Sequence, residues 1–595
     1  MRKIKRFRLL SALLVLALAL TLVPAAYAAD NAEHRIAADH LYELGLISGT
    51  GVDADGRPIY ELDRAPTRSE AITVLVKLLG KDAEAGKGGW ETPFTDVPDW
   101  ATNYVGYAYT SGLTAGTSAT TFGGDDPVTA AQYITFVLKA LGYSANGDFR
   151  WDRAWELSDK LGVTDGRYTA DSQVFLRGDV FLISNAALSV QMKNSNQTLK
   201  SALLAAGAIK VDFNAIADDP VLTQRRDAAE AYMRRMLSVK WSVDKDILYT
   251  TKSGVKPEDT AEENRLLIQA GRIYQGLPYS SASGTDTAFL EYAGEPVNGV
   301  YPISGLTWES LSGGGGAYAR VGNDCSSSVA IAWASVGSPL EVVDTKTMTP
   351  GRGYLRVGEY QSDSLSNDNS VETCAANGAR VMYDAYEMLR NADVLVRRGS
   401  GSGHAMMVVS STSVLDEDGF IDGDSSTVTV LQQTRAHFVR GEYYLDHDLN
   451  ENVYVIGGVE DTYSYSELFE AGYLPVTCPV FVDPTPIAEP VVTDSLAAFD
   501  KSSLTLGTIS CNWMIDSLTL TIADSAGASV QSATIRTSRG DDFAVNLDKF
   551  HEDNPAGVLG EVNPALLPAG SYHCTLTCRL VNGQEFTVRS FDFTA

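Results

Sequence analysis

Apolar residues recur at helical spacing over the first two hundred positions and at alternating spacing over the last hundred. Ala37, Leu41, Leu44 and Leu46 mark a helix that stops at Gly49. Ile72, Val74, Leu75, Leu78 and Leu79 mark another, opened by Thr67-Arg68-Ser69-Glu70. There a Thr N-cap and a Glu three residues on form a capping box. The arrangement returns. Phe94-Thr95-Asp96-Val97-Pro98-Asp99-Trp100 leads into a helix ending near Gly112, and Thr129-Ala130-Ala131-Gln132 opens Ile134 to Leu141. A looser third copy has Trp151 to Leu161, then Leu176-Arg177-Gly178-Asp179 ahead of Val180 to Leu188. Units of this size, at 33–82, 90–145 and 150–195, bury each other's faces and predict a helical bundle.

Residues 195–220 read as a polar connection. Leu222 to Trp241 reads as an amphipathic helix with Met233 and Met236 inward, and Glu262 to Gln275 as a second helix ending at Gly276-Leu277-Pro278-Tyr279. Gly313 to Gly316 is a loop without the Gly-Lys-Ser/Thr of a phosphate cradle. Val329, Trp333 and Val336 then repeat at helical spacing, which puts Cys325 in a first turn with Asp324 as N-cap. After a long insertion at 337–385 come strand patterns at Ala392 to Val396, Ala405 to Val409 and Val428 to Thr434, a short helix around 462–470, and closure near Val482. Pro484, Pro486 and Pro490 mark a linker. Beyond it, short alternating runs at 504–509, 518–522, 543–545, 572–580 and 585–588 predict an immunoglobulin-like sandwich. The expected fold class is thus multidomain: a helical repeat bundle, an α+β domain at 220–483, and an all-β sandwich at 490–595.

Length, charge and cysteine usage narrow the function. A chain of 595 residues, 44% hydrophobic and 21% charged, is folded protein with several cores. Its net charge of −28 argues against nucleic acid or an anionic lipid surface as a non-specific partner. Met1 to Arg8 carries basic residues and no acid, Leu9 to Val23 is apolar, and Ala26-Tyr27-Ala28 supplies small residues for cleavage. Residues 1–28 therefore read as an export signal, too short to span a bilayer. No later segment is long and apolar enough to do so. Six Cys are too few for a disulfide scaffold, although Cys511 can be bridged to Cys574 or Cys578 across the sandwich. No Cys-x-x-Cys or His-Glu-x-x-His supports a metal, and Asp446-x-Asp448-x-Asn450 lacks the glycine and glutamate of a calcium loop. No cofactor is expected.

Cys325 and His404 carry the candidate chemistry. At a helix N-terminus the dipole favours thiolate, the reactive form. His404 opens an apolar strand behind Gly399 to Gly403, within reach of a neighbouring helix N-terminus. A glutamine on the later strand, Gln432 or Gln433, can orient the imidazole. Singly, a buried Cys and a structural His are the ordinary readings of such residues; together and in this order they make a nucleophile and its base.

The repeats resemble the S-layer homology repeats of bacterial surface proteins, on Phe94-Thr95-Asp96-Val97, Trp100 and the four-residue motifs at 67–70, 129–132 and 176–179. That resemblance implies secondary cell-wall polysaccharide as partner, with Arg68, Arg177 and Trp100 as contacts; Ala130 departs from the pattern. Residues 262–436 resemble NlpC-type and CHAP-like papain-fold hydrolases, on Gly276-Leu277-Pro278-Tyr279, Asp324-Cys325-Ser326, Ala392-Asp393-Val394 and Gly403-His404-Ala405. This implies a peptidoglycan substrate, Cys325 as nucleophile, His404 as base and Gln432 as orienter, with Tyr279 and Asp324 bordering the substrate. Departures are Ser327, Ala392 and a Gln for the usual third His. The expectation is a wall-anchored endopeptidase cutting stem peptides. The alternatives are a CHAP-like amidase and a non-catalytic surface protein with a relic domain.

Overall fold

The computed structural model describes residues 32–595 except 54–56, 146, 173, 196, 210, 212, 214–215, 253, 281, 313–320, 350–351, 363–368, 400–402, 497, 503, 505–506, 538–541 and 549–561. The expected export signal, the tetraglycine loop and the residues just before Gly403 lie outside the described residues. Two compact units follow one another, meeting near residues 194–212.

In the first unit, helices at Arg68–Leu78, Ala130–Ala140 and Arg177–Leu188 pack on one another. Each starts where the sequence places a cap. Thr67 Oγ1 accepts from Glu70 N at 3.2 Å while Glu70 Oε2 accepts from Thr67 N at 2.8 Å. Thr129 and Gln132 repeat the exchange at 3.3 and 3.1 Å. In the third helix Leu176 has no capping side chain, and Asp179 alone reaches back, accepting from Leu176 N at 2.6 Å. These reciprocal bonds satisfy N–H groups a helix start otherwise leaves open. Inward residues Ile72, Leu75, Ile134, Val137, Val180 and Ile183 are buried. The stretch expected as a polar connection contains a further helix, Leu199–Ala205, capped by Thr198, with Leu199, Leu203 and Leu204 buried.

The second unit is built round a six-stranded antiparallel sheet in the order Gly458–Ser464, Thr427–Gln433, His404–Thr412, Val394–Arg397, Leu474–Thr477, Leu355–Arg356. The Cys325–Ala334 helix packs between this sheet and the Pro220–Ser238 helix. Two elements differ from the sequence reading. The latter helix stops at Ser238, and Lys240–Val243 is already a strand. Glu262 to Gln275 is not a helix but a single 3-10 turn followed by strands Arg265–Ile268 and Ile273–Gln275. Leu266 and Ile268 are buried while Arg265 and Leu267 are exposed, a period of two, and Gly271 at φ +76° sits in the break between two strands that both pair antiparallel with residues 240–250. The 337–385 insertion is irregular apart from the Leu355–Arg356 strand until two helices close it, Ser370–Asn377 and Ala379–Glu387, joined at Gly378.

The last hundred residues form a three-stranded and a four-stranded sheet facing one core. Strands Val492–Asp494 and Ser529–Arg536 add to those expected. Cys511, Cys574 and Cys578 are buried free thiols, not a bridge. The Cys511 sulfur accepts instead from Trp513 N–H at 3.4 Å. Met514 and Val581 leave the sandwich to join the core of the larger sheet, so the two halves form one compact unit across the expected linker.

Ala392 holds φ +65°, a left-handed conformation, just where the Cys325 helix meets the sheet. Its carbonyl accepts from Trp333 Nε1 at 2.8 Å. The conformation costs an alanine about 1–2 kcal/mol. Ala392→Gly loses a buried methyl worth about 0.8 kcal/mol and gains unfolded-chain freedom of about 0.4–1 kcal/mol. Its urea midpoint should therefore stay close to that of the parent. Ala330→Gly, in the middle of the buried helix, should lower stability by about 2 kcal/mol.

Candidate functional site

The thiol of Cys325 sits at N1 of its helix. Asp324 is the N-cap: its Oδ1 accepts from Ser327 N at 2.9 Å and from Ser326 Oγ at 3.1 Å, and Ser327 Oγ accepts from Asp324 N at 2.8 Å. The Asp324 carboxylate thus serves the helix start rather than a substrate, and Ser327 has its own task in the cap. Tyr279 lies beside the thiol because its segment bridges to Asn323: Ser280 N donates to Asn323 O at 3.0 Å and Asn323 N to Pro278 O at 3.2 Å.

On the sheet, His404 starts the strand that packs on this helix. Gly403 before it leaves no room for a side chain, since a Cβ would stand 1.7 Å from Thr345 Oγ1. His404 Nε2 is 2.6 Å from Gln432 Oε1. Gln432 Nε2 donates in turn to Asp461 Oδ2 at 2.6 Å and Tyr463 OH at 2.9 Å. Two acceptors on the amide nitrogen fix the amide so that its oxygen meets His404. His404 Nε2 must then carry the proton, which leaves Nδ1 as the basic nitrogen. Gln433 points the other way and donates to Leu277 O at 2.9 Å, so Gln432 is the orienter of the two. Asp461 and Tyr463 went unforeseen. They stand two apart on Gly458–Ser464, a strand in a stretch partly expected to be helical; the helix starts only at Tyr465.

The electrostatics differ from the sequence expectation of a low thiol pKa. Burial, reinforced by Asp324, pushes the Cys325 thiol up to about 11, against the backbone N–H of Ala405 and the Tyr279 hydroxyl, which both favour the thiolate. Burial also lowers the His404 pKa, outweighing Gln432. A low-dielectric site disfavours both charged forms, so the resting pair is thiol and neutral imidazole.

The polysaccharide contacts expected in the first unit separate into two environments. Arg177 and Trp100 line one pocket of about 190 Å³ with Arg64, Glu70, Thr73, Lys77 and Phe181. Arg177 Nε donates to Tyr60 O at 2.9 Å and its guanidinium lies 5.4 Å over Phe181. Arg64 is spoken for, donating to Glu70 at 2.6 and 2.8 Å. Trp100 is 55% exposed. Arg68 lies outside this pocket, held 4.9 Å from both the Phe122 and Phe136 rings and donating to Ala115 O at 2.9 Å. Burial lowers its pKa to about 10. Among the described residues no group of His, Cys, Asp and Glu could hold a metal ion, and no helix is long and apolar enough to cross a membrane.

A family model for the S-layer homology domain matches residues 93–134. The chain is similar to a cell surface protein of Thermoanaerobacter kivui, 31% identical over 196 residues, 32% of this chain and 24% of that protein. It is similar to the middle cell wall protein of Brevibacillus brevis, 30% identical over 202 residues, 31% of this chain and 18% of that protein. A surface layer protein of Brevibacillus choshinensis is 26% identical over 196 residues, 31% of this chain and 17% of that protein. The chain thus spans a quarter or less of these relatives' length. It carries an S-layer homology domain and is a protein of the cell surface.

Two measurements check the thiol site. With the thiol at about 11, iodoacetamide labelling of Cys325 should rise steadily from pH 7.5 to 10 with no plateau, because the thiolate fraction grows about tenfold per pH unit below the pKa. A plateau below pH 7 would mean an ion pair. Gln432→Ala, which frees the imidazole to rotate, should alter the His404 titration seen by NMR, whereas Gln433→Ala should not.

Proposed function

We propose that this is a surface-anchored cysteine hydrolase, held by its first unit on secondary cell-wall polysaccharide and acting with its second on amide bonds of peptidoglycan stem peptides. The carrying observation is the chain from His404 through Gln432 to Asp461, which sets a basic Nδ1 on the strand whose next N–H, at Ala405, faces the Cys325 sulfur. A thiol at a helix start beside the first residues of an antiparallel strand that opens with a histidine supports the papain-like fold class, which we assign to the first half of this unit; we assign the last hundred residues to the immunoglobulin-like sandwiches.

His404 takes the thiol proton as sulfur attacks the amide carbonyl carbon. The C–N bond then breaks and His404 gives the proton to the leaving amine. Water, deprotonated by the same nitrogen, splits the thioester and returns the thiol. Endopeptidase and amidase differ only in which amide is presented.

In the first unit, Arg177 offers a planar guanidinium to an anionic sugar substituent, Lys77 adds positive charge and Trp100 an exposed ring. A second reading has support of its own: a surface protein without catalysis. The relatives are named surface and cell-wall proteins, and a buried thiol near pKa 11 is a poor nucleophile at rest.

Purified sacculi that retain polysaccharide should retain the full chain, and stripped sacculi should not. Trp100→Ala, at an exposed ring, should weaken this binding several-fold without loss of folding. Incubation with peptidoglycan fragments should release new amino termini, and Cys325→Ala should abolish release while leaving sacculus binding intact. Full release by Cys325→Ala would sink the mechanism. Binding without release by the parent protein on endopeptidase and amidase substrates alike would establish the second reading.

A further inference from the structure

A second pocket, of about 430 Å³, is bordered by Tyr279. Its walls are Tyr279, Glu263, Thr434, Arg435, Ala436, Val439 and Arg440. Tyr279 belongs to both sites, since it lines this pocket and its hydroxyl acts electrostatically on the Cys325 thiol.

The two arginines are not equivalent. Arg440 is consumed: its Nε donates to Glu442, and Nη2 lies 3.2 Å from His437 Nδ1. The Arg435 carbonyl accepts from Val439 N at 3.0 Å, but its guanidinium makes no hydrogen bond or ion pair among the described residues. It is half-buried at the turn between the Thr427–Gln433 strand and the short Ala436–Arg440 helix. In a chain with 75 acidic residues against 47 basic ones, a half-buried guanidinium with no carboxylate on it is a vacancy for one. The pocket's own acid, Glu263, is exposed and forms no ion pair with it. Guanidinium selects carboxylate by its planar fork and needs no further cation to do so.

Resting on the hydrolase reading, we propose that this pocket is a substrate subsite for a residue bearing a free carboxylate, and that Arg435 is its specificity determinant. Such a residue occupies the pocket with its carboxylate on the Arg435 fork and its backbone running past Tyr279 to the thiol. Uncharged amide counterparts are discriminated against because they leave the guanidinium unpaired.

The full chain tests this through its own thiol. Cys325 is alkylated at pH 9 by anionic iodoacetate and by neutral iodoacetamide, with the site confirmed by peptide mass, and the ratio of the two rates is the readout. Arg435→Gln should lower the iodoacetate-to-iodoacetamide ratio at least five-fold and leave the iodoacetamide rate unchanged; Arg435→Lys should recover part of it. A ratio unchanged by Arg435→Gln overturns the subsite while leaving Cys325 a reactive thiol. If Cys325 resists both reagents, the hydrolase reading fails separately, and the pocket is read from phenylglyoxal modification of Arg435. Protection by N-acetylglutamate but not by N-acetylglutamine upholds a carboxylate site, and equal modification under both overturns it.

Discussion

A helix with no exposed residue governs the second unit. All ten residues from Cys325 to Ala334 are buried, so the helix needs partners on every side, and the sheet and the Pro220–Ser238 helix supply them. Its serines are accommodated by local bonds: Ser328 Oγ donates to Cys325 O at 3.0 Å, Ser326 and Ser327 serve the cap, and none is left to demand water. The far end is pinned by Trp333 to Ala392. With both its axis and its C-terminal end fixed, the N-terminal thiol has one place to go, against the start of the His404 strand.

The same burial sets the electrostatic character of the site. A helix N-terminus and two donors favour thiolate, yet desolvation outweighs them, and it lowers the His404 pKa as well. Orientation therefore matters more than resting charge. Because Asp461 and Tyr463 occupy the Gln432 amide nitrogen, its oxygen faces the imidazole and sets the tautomer.

Features decided locally were legible in the sequence, and features decided across the fold were not. The Thr67 and Thr129 capping boxes need only residues three apart, and both stand as read. Arg68 and Arg177 occupy the same motif position and look alike in sequence; Phe122 and Phe136, distant in the chain, enclose one and leave the other on a pocket wall. The pairing of His404 with Gln432 rather than Gln433 depends on strand register, where a step of one residue exchanges the faces. Residues 262–275 form strands rather than a helix because Leu266 and Ile268 alternate with exposed neighbours and the stretch pairs antiparallel with 240–250, a partner distant in the chain.

The sandwich has a part in the site as well as in the core. The segment that carries Tyr279 continues to Thr285, whose Oγ1 donates to Asp516 Oδ1 of the sandwich at 2.9 Å. Asp286 beside it is held by Arg235 at 2.5 Å. Asp516 is buried, and desolvation raises its carboxyl to about 6 despite Thr285 and Arg579. Such a group is costly to ionise in the folded chain, and it is kept where the Thr285 hydroxyl, together with the Arg536–Glu291 ion pair, joins the sandwich to the segment that borders the thiol. The wall shared by the thiol site and the Arg435 pocket is therefore braced from the last hundred residues, which makes that module a structural component of the same site rather than a spacer.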